Sequence, residues 1–322
     1  MEKNTKNIVA QALLKYATGG ASIPTLLREG IDNDIYIFQS EQNTKAVLRI
    51  GKRGTSENTD IGFEVNLLDF LFENGTAVPR PIRTIDGKLW CDIENYSVTA
   101  FNFIDGKSYS VSKDSKPDIQ KAHSAGLELG KMHSLTANEK FSYQSKKRRD
   151  IYTEFGRALA KKQNIQDLQG GNEFLSHLEK YLLWAKNYSG ISGVIHNDYI
   201  PDNVMFSSDT LVAVIDFDWS CKGPLAKDLG IALATWSSPD GLDTHWKDVF
   251  TSFVDGYNQS SPQKILINDD LYRWICFSCL TDACTFFADL PESCPGIVID
   301  NVLQCRRYNK FLYFKSLIEA KE

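Results

Sequence analysis

The chain has 322 residues, 42% hydrophobic and 24% charged, with a net charge of −5. Those values suit a globular protein large enough for two lobes, and they offer no overall basic field for nucleic acid or an anionic membrane. The start MEKNTKNIVAQALLKY lacks the apolar core and cleavage site of a signal peptide, no apolar run is long enough to span a membrane, and the seven scattered cysteines read as reduced thiols, so a cytosolic protein is expected.

The first hundred residues read as β-rich. The segments PTLLREG, DIYIFQS and KAVLRIG are short apolar runs between turn residues, and GKLWCDI and YSVTAFNFI continue the pattern after the Asp86–Gly87 turn. One helix interrupts them, NTDIGFEVNLLDFLFENG, with polar residues at its start and Asn74–Gly75 as its stop. VPRPI then forces an extended segment.

From about residue 105 the pattern turns helical. PDIQKAHSAGLELGKMHSL places Ile119, Ala122, Gly126, Leu129 and His133 on one stripe, where Gly126 and Gly130 would allow close helix packing and His133 reads as a core histidine. The four cations Lys146–Arg149 read as a solvated helix start. Residues 172–188, 226–236, 243–258, 269–289 and 296–318 also read as helices. The change of pattern predicts a boundary between residues 1–103 and 104–322, with NFIDG as the connector. Cys276, Cys279, Cys284 and Cys294 raise the question of a zinc site. LYRWICFSCLTDACTFFADL reads as an amphipathic helix with Cys276 and Cys279 on its apolar face, whereas zinc ribbons use paired CxxC turns, so the helix is the expectation.

Two constellations carry chemistry. Glu64 lies on the face defined by Ile61, Leu67, Leu68 and Leu71, where a carboxylate is costly unless paired. Arg49, ending the preceding strand AVLRI, is the candidate partner; the alternative is a solvated Glu at the rim of the stripe. The second is VIHNDYIPDNVMFSSDTLVAVIDFDWS, residues 194–220. VMF and LVAVIDF flank SSDT as a hairpin, which would bring Asn203 and Asp216 to one end. Two oxygen ligands there suit Mg²⁺, and Asp198 on the preceding loop could accept a proton from an alcohol.

The order of strand cation, helix Glu, His-x-Asp-x-x-x-x-Asn, hairpin and metal Asp is that of the kinase fold. HNDYIPDN and IDFDWS resemble the aminoglycoside phosphotransferase superfamily, which includes choline kinases and a type of homoserine kinase. EGIDNDIYIF, FEVNLLDFLFENGTAVPRPI, LGKMHSL and GPLAKDLGIAL resemble further segments of it, so the resemblance spans most of the chain. It implies an α+β, bilobal protein-kinase-like fold: a β-rich N-lobe of antiparallel sheet plus one helix, and a mainly helical C-lobe. It implies ATP and Mg²⁺ as cofactors and a small hydroxyl-bearing molecule as acceptor, with no nucleic-acid or membrane partner. By the same resemblance Asp198 is the catalytic base, Asn203 and Asp216 bind Mg²⁺, and Arg49 and Glu64 form the ion pair at the α and β phosphates. Asn33 and Tyr36 fall at the N-x-x-Y positions of the nucleotide loop, and Ala100, Phe101, Asn102 and Phe103 form the hinge that meets adenine. His196 supports the loop, Asp228 caps a helix or supports the catalytic loop, and Asp218 reaches the metal, the substrate or solvent.

The chain departs from the family at two places. Arg49 replaces the common lysine, keeping the charge and adding a bidentate fork. The loop REGIDNDIY has one glycine, and its Asp32 and Asp34 would repel a triphosphate unless they face away. Local patterns lie nearest homoserine-kinase-like members; choline-like, sugar and aminoglycoside acceptors are the other classes. Trp236, Asp240, Trp246, Tyr257 and Trp274 are the candidates for an acceptor pocket, with ordinary core packing as the favoured alternative for the aromatics. The rival functions are an atypical protein kinase, which the absent activation-segment motifs oppose, and a catalytically idle nucleotide-binding scaffold, which the intact Asp198, Asn203 and Asp216 oppose.

Overall fold

The computed structural model describes residues 2–16, 24–30, 33–39, 44–52, 54, 60–111, 116–143, 148–238, 245–289 and 299–320. The expected features at Asp32, Lys146, Lys147, Asp240 and Cys294 lie outside them.

The N-terminal region contains α1 (Glu2–Lys15), β1 (Thr25–Glu29), β2 (Asn33–Gln39), β3 (Lys45–Gly51), α2 (Ile61–Glu73), β4 (Pro81–Ile82), β5 (Cys91–Ile93) and β6 (Tyr96–Asn102). The strands form one antiparallel sheet in the order β1-β2-β3-β6-β4, with β5 also paired to β6. Alternation along β3 buries Ala46, Leu48 and Ile50 on one face, against Val98 and Ala100 of β6. On that face lies α1, an element beyond the single expected helix. Ile8, Ala12 and Tyr16 recur every four residues and pack there, and Tyr16 donates its hydroxyl to the Val98 carbonyl at 2.9 Å.

The rest of the chain contains β7 (Lys107–Ser108), α3 (Ile119–Thr136), α4 (Thr153–Ala160), α5 (Lys162–Gln166), α6 (Gly171–Lys186), β8 (Ser192–Ile195), β9 (Val204–Ser207), β10 (Thr210–Val214), β11 (Cys221–Pro224), α7 (Leu225–Trp236), α8 (Lys247–Ser260), α9 (Asp269–Asp289) and α10 (Arg306–Glu319). The fold is thus α+β and kinase-like, an antiparallel sheet region joined to a helical one. The predicted helix over 296–318 begins later than expected, at Arg306, after a short turn capped by the Asn301 side chain. The larger apolar cluster crosses position 103: Phe63, Leu67 and Leu71 of α2 and Phe101 of β6 belong to the same core as the C-terminal helices. Cys276, Cys279 and Cys284 are buried along α9, as the amphipathic reading expects.

Three small elements set up the site. β9 and β10 form the expected hairpin, pairing Val204 with Val214, and β7 adds a third strand beside β9. β11 returns to pair with β8, so the stretch before His196 and the stretch after Trp219 run side by side. The crossing of α3 and α8 is close because both carry glycine where they meet: a Cβ on Gly126 would collide with the Phe253 carbonyl, and one on Gly256 with the His123 carbonyl. The close packing expected at Gly126 and Gly130 is therefore observed.

Candidate active site

Asp198 follows β8, and Asn203 ends the short helical turn Pro201–Asn203. The Asn203 side-chain amide donates to the Asp198 carboxylate at 2.8 Å and to its carbonyl at 2.9 Å, which fixes the loop on itself. The backbone N–H of Ile215 donates to the Asn203 carbonyl at 2.9 Å. The hairpin therefore brings Asn203 next to the residue before Asp216, as antiparallel neighbours pair start with finish.

The loop hangs on Asp228 of α7. This fully buried carboxylate accepts the backbone N–H groups of His196 and Asn197, both at 2.6 Å, and faces His133 Nε2 at 3.1 Å. Burial alone would raise its pKa; the His133 hydrogen bond and charge, with His196 and Lys227, reverse that and hold it below the usual carboxylate range. Of the two expected roles for Asp228, loop support is the one it fills, and Pro224 takes the N-cap position of α7. His196 joins the two halves of the site: its Nε2 donates to the Ile215 carbonyl at 3.0 Å and its Nδ1 accepts from the Asp198 N–H at 3.3 Å. Asn197 and Asp216 both adopt positive φ, 68° and 67°, at a cost of about 1 kcal/mol or more each, and the surrounding hydrogen bonds hold them there.

On the sheet side, Arg49 and Glu64 meet through two hydrogen bonds of 2.6 and 2.9 Å, so the rim reading of Glu64 gives way to a buried pair. Arg49 also touches Thr99 at 3.3 Å and lies over the Phe101 ring. Asp218 stands 3.5 Å from Arg49 and accepts the Asn33 side-chain amide at 3.2 Å, an arrangement that the sequence left open. Two carboxylates around one guanidinium explain the titration. Burial, helped by Asp218, pushes Glu64 up to about 7 despite Arg49, while Glu64 and Asp218 outweigh burial on Arg49 and keep it cationic. Burial also raises the Asp216 carboxyl, and the charges of Asp218 and Asp198 add to that. Asp34 turns to Lys52 at 2.6 Å.

The expected hinge residues lie at the end of β6. Ala100 and Phe101 are paired on both sides, by β3 and β4. The N–H groups of Asn102 and Phe103 donate to the Arg80 and Lys45 carbonyls. These two donors are therefore already committed within the protein.

Two features were not foreseen. Arg148 and Arg149 are not a solvated helix start. Arg148 donates to the Phe217 and Ser220 carbonyls and lies over Phe63, while Arg149 lies over Trp219. Together they clamp the segment after Asp216; a run of cations carries no sequence signal for that. The second is the set of residues that line the cavity. A pocket of about 330 Å³ opens beside Asp198 and is lined by residues of α7, α9 and α10, among them Lys227, Asp282, Asp289 and Arg307. Trp236, Tyr257 and Trp274 are core residues instead, and Tyr257 binds His133 at 2.9 Å. Trp246 does not line the pocket either. The sequence reading expects a pocket among the C-terminal helices but misses these lining residues, because its charged residues come from three helices with no shared spacing.

A family model described as the phosphotransferase enzyme family matches residues 24–260. A homoserine kinase of Rhodopseudomonas palustris (strain BisA53) is 27% identical over 267 residues, covering 82% of this chain and 78% of its own. A homoserine kinase of Zymomonas mobilis is 30% identical over 242 residues, covering 73% of this chain and 71% of its own. Among solved structures, the microcompartment-associated aminopropanol kinase superposes with a TM-score of 0.69 at 17% identity, covering 98% of each chain. The chain belongs to the phosphotransferase enzyme family and is a small-molecule kinase.

Proposed function

We propose that the protein transfers the γ-phosphoryl group of ATP to the hydroxyl of a small molecule, with a homoserine-like compound as the first acceptor to test. The observation that carries this reading is the position of Asp198. Asp198 lines the 330 Å³ cavity, while Asn203 and His196 tie it to the hairpin end that presents Asp216. A cavity of that size suits a small acceptor rather than a protein segment.

The acceptor oxygen forms a bond to the γ-phosphorus as the bond from that phosphorus to the β–γ bridging oxygen breaks, and the electron pair leaves on ADP. The hydroxyl proton passes to Asp198. Arg49, fixed by Glu64 and Thr99, would meet the phosphates, and Asn33 would border the nucleotide. Asn203 and Asp216 fit a Mg²⁺ ion. The Asn203 nitrogen is spent on Asp198, leaving its oxygen, and Asp216 shares a carboxylate-rich corner with Asp198 and Asp218 whose charge a divalent cation would offset. When bound, the ion neutralises charge on the β- and γ-phosphates. The protein's own part is orientation and exclusion of water.

The test is ATP consumption with Mg²⁺ across hydroxylated amino acids, amino alcohols, sugars and aminoglycosides, with products identified by mass spectrometry. Acceptor-dependent ADP formation is expected, and Asp198→Asn should lower kcat by about 10²–10⁴ while Mg-ATP binding persists. No acceptor-dependent turnover anywhere in the panel, or wild-type rates in Asp198→Asn, defeats the proposal.

A further inference from the structure

The backbone around Asp216 is held from both sides. Before it, the Ile215 N–H donates to the Asn203 carbonyl and the Ile215 carbonyl accepts from His196. After it, the buried Phe217 packs its ring 4.5 Å from that of His196 and begins a short helical turn, Phe217–Trp219. Arg148 grips both ends of that turn: its Nη2 donates to the Phe217 carbonyl at 2.6 Å and its Nε to the Ser220 carbonyl. These two donors share one edge of the guanidinium, so a single planar group fixes the spacing of the two carbonyls. The face of the same guanidinium lies over the Phe63 ring, 4.9 Å from its centre. Phe63 precedes Glu64 on α2, and Glu64 holds Arg49. Arg148 thereby ties the turn after Asp216 to the helix that positions Arg49.

We propose that Arg148 is a positioning residue for phosphoryl transfer: by fixing the turn after Asp216 against α2, it sets the Asp216 carboxylate relative to Arg49, where a Mg²⁺-bound nucleotide would use both. This rests on the reading of Asp216 as a Mg²⁺ ligand given above. Asp216 has a φ of 67°, a strained conformation that persists only where the neighbouring backbone is fixed. Asn203 and His196 fix it on one side, and Arg148 fixes it on the other. A lysine at this position would keep the charge and the contact with the Phe63 ring. It would replace the planar fork by a point charge, which cannot hold two carbonyls at a set spacing. Arg148 is not among the residues that line the cavity beside Asp198. Its effect should therefore fall on kcat and on metal-dependent nucleotide binding, not on the acceptor KM.

The test compares full-length wild type, Arg148→Lys and Arg148→Ala. Titration calorimetry with a non-hydrolysable ATP analogue, in EDTA and in excess Mg²⁺, reads binding. Steady-state kinetics use the acceptor that the panel above identifies. The wild type should bind the analogue more tightly with Mg²⁺ than in EDTA. Arg148→Lys should lose most of that gain while its affinity in EDTA stays within about twofold, and its kcat should fall about 10- to 100-fold with the acceptor KM nearly unchanged. Ethylguanidinium should restore part of the loss in Arg148→Ala, and ethylammonium should not. The calorimetry needs no acceptor, and Arg148→Lys carries the test if Arg148→Ala does not fold. A variant that loses only urea stability, keeping the wild-type gain from Mg²⁺ and the wild-type kcat, overturns the proposal and leaves the Mg²⁺ reading intact. A change confined to the acceptor KM overturns it as well. No gain from Mg²⁺ in the wild type itself overturns the Mg²⁺ reading of Asp216 together with the proposal built on it.

Discussion

Asn33 donates its side-chain amide to Asp218 at 3.2 Å across 185 positions of sequence, and Arg49 stands 3.5 Å from the same carboxylate. Asp218 thus faces the two sheet residues proposed to border the nucleotide, and its charge adds to the repulsion that raises Asp216. In the proposed function a triphosphate entering without a metal would meet that carboxylate-rich corner directly. Asp218→Asn should therefore bind ATP several-fold more tightly than wild type in EDTA. With Mg²⁺ present the advantage should vanish or reverse, because the ion offsets the same charge. Titration calorimetry with and without metal reads both limbs, and identical affinities in EDTA would remove Asp218 from the proposed nucleotide site.

Glu64 supplies a pH dependence with a definite sign. Its carboxyl is pushed up to about 7 in the folded protein, against roughly 4.3 in an unfolded chain. Between those values the folded state holds a proton that the unfolded state has lost, so stability from this group declines as pH rises from about 4.3 to about 7. The difference in melting free energy between wild type and Glu64→Gln should therefore change across that window by on the order of 2 kcal/mol. Glu64→Gln mimics the protonated carboxyl, so the balance of stability should shift towards the variant as pH rises through that window. Parallel stability curves between pH 4.5 and 7.5 would contradict this.

Asp228 titrates in the other direction. Its pKa is held below the usual range, so its stabilising effect is present above about 3.9 and is lost as pH falls through the depressed folded value. Replacing it with Asn keeps the volume but points an N–H₂ donor at the backbone donors of His196 and Asn197. Asp228→Asn should cost about 3–5 kcal/mol in urea unfolding and lower kcat, because the Asp198 loop loses its anchor. Wild-type stability together with wild-type kcat would show that the loop is held elsewhere.

How far the sequence reached depends on how local each signal was. The hairpin at Asn203–Asp216 was legible because period-2 alternation and a four-residue turn lie within one short stretch. The Arg49–Glu64 pair was legible as a cost, a carboxylate on an apolar face, with its partner chosen by topology. The helix α1 was equally legible, since Ile8, Ala12 and Tyr16 recur at i+4, but that stretch was read for targeting and not for periodicity. Contacts made by tertiary approach were out of reach. Asp218 on Asn33, Arg148 on the segment after Asp216, and the charges lining the cavity all join residues whose separation carries no period. The aromatics follow the favoured core reading: Trp236 and Trp274 sit at helical spacing, and such spacing marks core more often than pocket.

The glycines between α3 and α8 allow a test in which packing and helix propensity predict opposite signs. Alanine is the better helix former by about 1 kcal/mol, so propensity alone favours Gly126→Ala. In the folded protein the added methyl would collide with the Phe253 carbonyl, a backbone atom that cannot swing aside. The helices must separate, and the net cost should be about 1–3 kcal/mol. Gly156→Ala in α4 is the control, since a Cβ there meets nothing within 4 Å, and it should be neutral or stabilising by up to about 1 kcal/mol. The strain should also reach the chemistry. Tyr257 of α8 binds His133 of α3, His133 faces Asp228, and Asp228 holds the backbone before Asp198. Gly126→Ala should therefore lower kcat as well as urea stability, and a variant as stable as Gly156→Ala would show that α3 and α8 are not in close contact at this crossing.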